Sequence, residues 1–260
     1  MRMMGKLLVA AYGLAVYTFI FLPVVVLVLF SLQATSLPVP PFTGPSLRWY
    51  EAVLGDARLT SALVNSVLVA VISSALAVAL GFLAAWGFAR YHLPRATLLR
   101  GLITLPLAVS YLIIGMGILV LFNAAGIQKS LVGAGIGHVV VNLPLCFAII
   151  YSQMGDNQVN LERAARDLGA PEWKVLLLIS VPVMWPAILA SFFLSMTFSW
   201  DEFVISFLLT RIDTTLPVEI WSLLRSGLHP RTNAVGSLVF GVSVVLAILF
   251  ELILLRRNRS

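Results

Sequence analysis

The sequence predicts an all-α integral membrane protein with six transmembrane helices in a single domain over residues 1–260. Hydrophobic residues make up 60% of the chain and charged residues 11%, a balance outside that of soluble domains. Six apolar runs approach or exceed the roughly 20 residues that span a bilayer. Backbone groups in hydrocarbon need internal hydrogen bonds, and the runs lack strand alternation, so we interpret them as helices. The predicted spans are 7–32, 61–89, 101–122, 132–153, 184–209 and 232–254.

The first run follows Arg2 and Lys6, as a secretory signal would. Its apolar stretch is much longer than the roughly 7 to 15 residues of a signal core, so we expect it to be retained as a span. Four prolines then fall within residues 38–45, followed by SLRWYEAVL. This order predicts an extended strap and a short helix that Trp49 and Tyr50 anchor at the membrane interface.

Spans two and three are joined by the short basic segment 90–100, which predicts a tight helical hairpin. Span four carries Gly133, Gly135 and Gly137. Small residues at this spacing let another helix approach closely, and both a dimer contact and ordinary packing within the bundle fit the pattern.

The cationic residues indicate which side of the membrane each loop occupies. With a cytoplasmic N-terminus, 11 Lys and Arg fall on the inner side and 6 on the outer side, as the positive-inside rule favours. Both termini are then cytoplasmic. These charges are scattered between apolar runs instead of forming one basic stripe, which argues against nucleic-acid binding despite the net charge of +6.

Familiar catalytic and metal-binding patterns are missing from the sequence. It contains no G-x-x-x-x-G-K-[ST], H-E-x-x-H or G-x-S-x-G motif. Cys146 is the single cysteine, so an intrachain disulfide is impossible. We therefore expect no enzyme activity, cofactor or metal site in this chain, and any ATP must be bound by another chain.

The longest inner loop, residues 154–183, contains an amphipathic pattern. Asn160 can cap a helix there, and Gly169 supplies the left-handed residue that ends it. Pro171 suits the first turn of a second helix that returns to the membrane. Helical spacing puts four small or apolar residues on one face: Leu161, Ala164, Ala165 and Leu168. A plain solvated connector would need neither this order nor the glycine stop.

The opposite face of the predicted loop helix carries two charged residues. Glu162 and Arg166 are four positions apart, which predicts a solvent-facing i,i+4 ion pair. The small residues on the other face leave room for a partner groove to come close.

The loop resembles the "EAA" loop of permease subunits in binding-protein-dependent ABC importers. The similarity lies in A-A-x-D-L-G-A and in I-x-x-P-x-x-x-P-A-I, which begins at Ile179. Arg163 stands where the family has its Glu, so a salt bridge of that Glu cannot be transferred. The resemblance implies that the ATPase-coupling residues are Leu161, Glu162, Arg163, Ala164, Ala165, Asp167, Leu168, Gly169 and Ala170.

Three further segments, SLRWYEAVL, FSWDEFVISFLLT and TTLPVEIWSLLRSGLHPRTNAVGSL, resemble the second permease of spermidine/putrescine-type importers. This similarity runs through nearly the whole chain. It implies the type I ABC importer permease fold, placed in the bacterial inner membrane. It also implies a second permease subunit, two ATPase subunits that hold ATP and magnesium, and an external substrate-binding protein.

Asp201 and Glu202 are the principal candidates for substrate contact, with Trp200 beside them. A carboxylate within a span costs a few kcal/mol on insertion scales, so it normally faces a wet cavity or a partner. Neighbouring helical residues point about 100° apart, so we expect only one of the two to face a pathway. Alternatively, both reach the headgroup zone or pair with Arg211. Glu219 could attract cations at the outer mouth or be an ordinary loop carboxylate.

His138 and Asn142 lie four positions apart in span four. They could form a polar relay, but we favour a satisfied hydrogen bond between helices.

Together these features predict the transmembrane subunit of an ATP-driven importer that moves a small cationic solute, polyamine in the first place, into the cytoplasm. An ABC permease for another small organic solute is the alternative. A stand-alone secondary transporter would place acids nearer the membrane centre, and an intramembrane enzyme would need a catalytic constellation that the spans lack.

Overall fold

The computed structural model describes residues 2–227 and 229–257. Its α-helices are α1 (Arg2–Ser31), α2 (Arg48–Leu54), α3 (Ala57–Arg90), α4 (Ala96–Thr104), α5 (Tyr111–Ala124), α6 (Leu131–Ser152), α7 (Asp156–Asp167), α8 (Glu172–Val175), α9 (Val181–Trp200), α10 (Val204–Leu209), α11 (Leu216–Arg225) and α12 (Pro230–Arg257). A 3-10 turn at Leu105–Ala108 follows α4, and a π-helical turn at Leu176–Ser180 joins α8 to α9.

Within the described residues, four helices are each long and apolar enough to cross a bilayer: Val9–Ser31, Ala57–Arg90, Leu131–Ser152 and Glu172–Trp200. Two more segments, Ala96–Ala108 and Tyr111–Ala124, are long and apolar enough only when they are taken together as one bent pair. The sixth predicted span falls on α12, and its role as a span stays a prediction.

The third predicted span, 101–122, is broken in the structure. The helical segments Ala96–Ala108 and Tyr111–Ala124 are bent by 107° relative to each other. Pro106 has no N–H to donate within the 3-10 turn, and Ser110 has extended backbone angles of −66° and 145°. The Ser110 hydroxyl accepts a hydrogen bond from the N–H of Ile113 at 3.4 Å, so it caps the new helix. A serine cap after a proline turn therefore replaces the continuous helix that hydropathy predicted.

The fifth predicted span, 184–209, begins and ends differently in the structure. Its helix starts at Glu172, inside the loop predicted at 154–183, and it runs through the π turn to Trp200. Pro171 precedes it, and the Pro171 carbonyl accepts the N–H of Lys174 at 2.9 Å. The chain then bends and resumes as the short α10. A break near residue 201 thus divides what the sequence predicted as one helix.

The chain folds as two compact units. The first comprises Met1–Thr60 and Glu219–Ile248, and the second comprises Ser61–Val218 and Leu249–Ser260. In the first unit, the Trp49 indole N–H donates to the carbonyl of Gln33 at 2.7 Å. Trp49 is 9% exposed, which corrects its expected place as an interfacial anchor. The bond to the strap draws the indole inward, since a buried indole N–H needs an acceptor.

The second unit has an apolar core that α3, α6 and α9 share. A Cβ added to Gly81 would lie 2.9 Å from the backbone nitrogen of Phe147, so α3 and α6 are in backbone contact there. Gly133 and Gly137 in α6 lie against the side chains of Phe122 and Ile205, which is packing within the chain. The buried core residues are Ala77, Val78, Phe82, Ala85, Cys146, Phe147, Ile150, Met184 and Ala187.

Candidate functional site

Helix α7 ends as the sequence predicted but begins earlier. Gly155 is its N-cap, so the expected cap at Asn160 is wrong. Gly169 has a φ of +82°, a left-handed conformation that a residue with a side chain rarely adopts. The N–H groups of Gly169 and Ala170 donate to Arg166 at 2.9 Å and to Ala165 at 3.0 Å. This pair of bonds is a Schellman motif, which fixes the direction of the chain after the helix.

One face of α7 is apolar and uncovered in this chain. Leu161 is 51% exposed, Leu168 is 90% exposed, and Ala164 between them is exposed as well. Ala165, expected on the same face, is half-buried. Leucines so exposed on a short polar helix form an apolar surface of the kind that interaction sites have. Arg163 and Asp167 border this face and are also exposed.

Glu162 lies on the opposite side of α7 and is fully buried. Arg90 at the end of α3 donates from Nε to Oε2 at 2.6 Å and from Nη2 to Oε1 at 3.2 Å. The hydroxyl of Ser180 donates to Oε1 at 2.7 Å. The expected solvent-facing position of Glu162 is therefore wrong. Its carboxylate is buried because it forms an ion pair with the guanidinium of Arg90, which is itself buried.

Arg166 is closer to Glu172 than to Glu162, with which it was expected to form an ion pair. The closest N–O distance between Arg166 and Glu162 is 3.9 Å, whereas Arg166 Nε lies 2.7 Å from Oε1 of Glu172. The hydrogen bond to Glu172 raises the pKa of Arg166 above its ordinary value. Arg166 thus ties α7 to α8 across the turn.

The Glu162 carboxylate joins three elements: α7, the end of α3 and the π turn before α9. A π turn contains an extra residue, which shifts the helix face and is frequent at functional sites. Ser180 is the last residue of this turn and is fully buried. The exposed face of α7 is consequently attached to two long apolar helices through one buried carboxylate.

The second region of interest is the break between α9 and α10. Asp201 is the C-cap of α9, and its side chain is exposed. None of the residues that the structure describes offers its carboxylate a hydrogen bond or an ion pair. A free carboxylate at such a break is suited to meet a cation.

Glu202, next to Asp201, is 5% exposed. Both of its carboxylate oxygens accept the N–H of Ile205, at 2.9 and 3.0 Å, and Oε2 also accepts the N–H of Ser206 at 3.1 Å. Nε2 of His138 lies 3.3 Å from Oε2. Asp201 is thus exposed and Glu202 is enclosed, and the expectation that only one of them faces a pathway stays a prediction.

His138 is buried and bonded to two helices. Its Nδ1 lies 2.5 Å from the hydroxyl of Ser199 in α9, and its Nε2 lies 3.0 Å from the hydroxyl of Ser206 in α10. Ser199 in turn lies 3.1 Å from the hydroxyl of Ser73 in α3. For His138, the interpretation as a satisfied hydrogen bond between helices is confirmed, with serines as its partners. The buried Nδ2 of Asn142, in contrast, finds no partner among the described residues.

The other two expected pathway residues are Trp200, which directly precedes Asp201, and Glu219. Trp200 is 3% exposed, and its indole N–H finds no acceptor among the described residues. Glu219 belongs to the first unit, where Arg58 Nη2 lies 3.2 Å from its carboxylate. A role of Trp200 or Glu219 in a solute pathway stays a prediction.

Sequence reasoning missed Arg90 and Ser180 as partners of Glu162, and His138 as a partner of Glu202. A signal for His138 was present, because ionisable residues within spans usually pair with one another. Nothing in the spacing pointed to Arg90, which is 72 residues from Glu162. Within the described residues, no cluster of three His, Cys, Asp or Glu side chains could hold a metal ion.

Comparison with known proteins assigns a class to this fold. A family model described as "Binding-protein-dependent transport system inner membrane component" matches residues 77–259. The chain therefore belongs to this family of multi-pass inner-membrane permeases, and the resemblance of the loop is confirmed.

Within this family, the chain is similar to permease proteins of two polyamine transport systems. The chain is 29% identical over 252 residues to the spermidine/putrescine transport system permease protein PotC of Escherichia coli (strain K12), covering 96% of this chain and 95% of that protein. It is 32% identical over 235 residues to the putrescine transport system permease protein PotI of the same strain. That match covers 86% of this chain and 83% of PotI.

Solved structures agree on the fold. A chain of a bacterial ABC transporter involved in the import of the acidic polysaccharide alginate superposes with a TM-score of 0.69 and 15% identity, covering 98% of this chain and 96% of that one. A chain of a bacterial alginate ABC transporter, in complex with an alginate pentasaccharide-bound periplasmic protein, superposes with a TM-score of 0.71 and 13% identity. The superposition covers 96% of this chain and 93% of that one. The ABC importer permease fold is thus shown.

Proposed function

We propose that this chain is a transmembrane subunit of an ATP-driven importer that brings a polyamine, spermidine or putrescine, into the cytoplasm. The names of its relatives PotC and PotI support this substrate class. The exposed carboxylate of Asp201 at a helix break supports it too, because a polyamine carries ammonium groups that need anionic partners.

The exposed apolar face of α7 is the observation that carries the proposal. We assign it to a groove on an ATPase subunit, with Leu161, Ala164 and Leu168 as the contact residues. ATP and magnesium belong to that subunit, and two such subunits serve this chain and a second permease. Closure of the ATPases would then move α7, and with it α3 and α9, through the Glu162 carboxylate.

The orientation follows from the same assignment. If α7 meets an ATPase, its side of the membrane is cytoplasmic, and six spans return both termini to that side. The excess of cationic residues on this side agrees. The break at Asp201 then lies towards the outside, where an external binding protein would deliver the solute.

Substitution at Leu168 tests the docking claim. Leu168→Glu puts a charge into the proposed apolar contact, so the ATPase should no longer copurify with the permease, and ATP-dependent putrescine uptake should fall about tenfold or more. Leu168→Met keeps an apolar side chain of similar volume at the same position and should retain both.

Two results would count against the assignment. Normal copurification and uptake in Leu168→Glu would remove α7 from the ATPase interface. A complete wild-type complex that takes up another small organic solute but no putrescine would instead leave the docking claim intact and change the substrate.

A further inference from the structure

We infer that Glu202 and His138 are positioning residues: they hold the break between α9 and α10 so that the Asp201 carboxylate alone meets the cationic solute. This inference rests on the proposed function. It separates the roles of two neighbouring acids that the sequence alone presents as a pair.

The contacts of Glu202 leave it little capacity for a ligand. A carboxylate offers about four lone-pair positions. The N–H group of Ile205 is shared by both oxygens, and the N–H group of Ser206 donates to Oε2. Nε2 of His138 lies 3.3 Å from Oε2 and so closes off another side of the carboxylate. An incoming ammonium would have to displace one of these contacts and enter a site that is 95% enclosed.

Glu202 meets a specific need of the backbone at the break. The first N–H groups of α10 have no partner within their own helix, and the N-cap residue Phe203 makes no side-chain cap. In a membrane such groups cannot turn to bulk water. Glu202, one residue before the cap, accepts two of them and so stabilises the start of α10.

His138 braces both sides of the same break. Its two ring nitrogens reach Ser199 before the break and Ser206 after it, while Nε2 also approaches Glu202. Both nitrogens are engaged, so the ring has one orientation. The hydroxyl of Ser73 holds Ser199 from a third helix. The bend is therefore fixed by side chains from α3, α6, α9 and α10.

Asp201 lies between the fixed points at Ser199 and Glu202. Its exposed side chain has no partner of its own among the residues that the structure describes, yet its backbone direction is set on both sides. An acid held in place without being neutralised is the arrangement that binds an ammonium with little ordering cost.

A double-mutant cycle on the complete transporter tests this division. This permease, its companion permease, the ATPase and the binding protein would be reconstituted in proteoliposomes, with the binding protein saturated with radiolabelled putrescine. Uptake and ATP hydrolysis are measured on the same sample, and their ratio is the readout. A variant that merely reduces the amount of folded complex lowers both rates and leaves this ratio unchanged.

We expect Asp201→Asn and Glu202→Gln each to lower the uptake per ATP hydrolysed by about fivefold. The double variant should be no more than about twofold below Asp201→Asn alone, because a residue that acts through another has no additional effect once that other is removed. Asp213→Asn, an exposed carboxylate elsewhere in the same unit, should stay within about twofold of wild type.

Multiplied losses in the double variant, about 25-fold, would mean that Glu202 contacts the solute itself and would overturn the inference. An unchanged ratio for Glu202→Gln would overturn it as well. Should Glu202→Gln fail to assemble, His138→Gln replaces it in the cycle with the same expectation. A wild-type complex without putrescine uptake would reject the proposed function and the inference together.

Discussion

Two buried carboxylates lie in the two candidate regions of this molecule, and their charges are compensated in different ways. Glu162 on α7 meets the full charge of the Arg90 guanidinium, 72 residues away, together with the Ser180 hydroxyl. Glu202 meets backbone N–H groups only three and four residues ahead, together with His138. In each case an exposed feature lies beside the buried carboxylate: the apolar face of α7 beside Glu162, and Asp201 beside Glu202.

The difference indicates what each region can do. An ion pair between distant segments couples α7 to α3, so displacement of one displaces the other. Dipoles from the adjacent turn compensate Glu202 locally and shape the chain at one bend. The first arrangement suits the transfer of movement, and the second suits the fixed placement of a side chain.

The largest expected effect comes from removing one partner of the long-range pair. Arg90→Leu leaves the Glu162 carboxylate buried without its cation, which costs about 3–5 kcal/mol. We expect a clear fall in the midpoint of thermal unfolding of the detergent-solubilised complex, together with loss of ATPase copurification.

The double variant Arg90→Leu with Glu162→Leu is the matched control. Replacement of a whole buried ion pair by apolar residues is often close to neutral. Recovery of thermal stability in the double variant would confirm that the unpaired charge is the cause. If the double variant is as unstable as the sum of the single ones, the contact between α3 and α7 depends on something other than this pair.

A smaller effect should follow from crowding the second region. A methyl group in Gly137→Ala would press on Ile205, whose N–H serves Glu202, and would come within 3.2 Å of Leu209. Overpacking of this kind costs about 1–3 kcal/mol. Gly135→Ala, two residues away in the same helix, meets nothing within 4 Å and should gain about 0.5–1 kcal/mol.

Thermal unfolding of the two glycine variants gives the comparison directly. The order Gly135→Ala above wild type above Gly137→Ala is expected. Equal stability of the two variants would show that α6 and α10 can separate without cost, and the bend would then not be as firmly held as its contacts indicate.

Much of the fold could be predicted because it depends on local physics. Apolar length places the long helices, and Gly169 with its left-handed φ ends α7 where the motif requires it. The breaks were harder. Hydropathy counts Pro106 and Ser110 as part of one apolar run, although a missing donor and a serine cap make the chain turn there.

The partners within the sites could not be predicted for a different reason. Whether Glu162 faces solvent or Arg90 depends on how α3 and α7 meet in three dimensions, which helical periodicity does not contain. The same holds for His138 and Glu202, which belong to different helices. The exposed residues were easier to predict, because a motif or an isolated acid within an apolar run can be recognised from the sequence alone.

The smallest expected effect concerns the second ion pair on α7, which contrasts with the buried one. Arg166 contacts Glu172 at 2.7 Å, but the side chains are 31% and 54% exposed. Exposed pairs contribute about 0–1 kcal/mol and weaken with salt. Glu172→Gln should therefore lower thermal stability slightly at low ionic strength and not at all in about 1 M salt. A loss as large as that of Arg90→Leu would mean that the turn between α7 and α8, rather than the buried carboxylate, holds the exposed face of α7 in place.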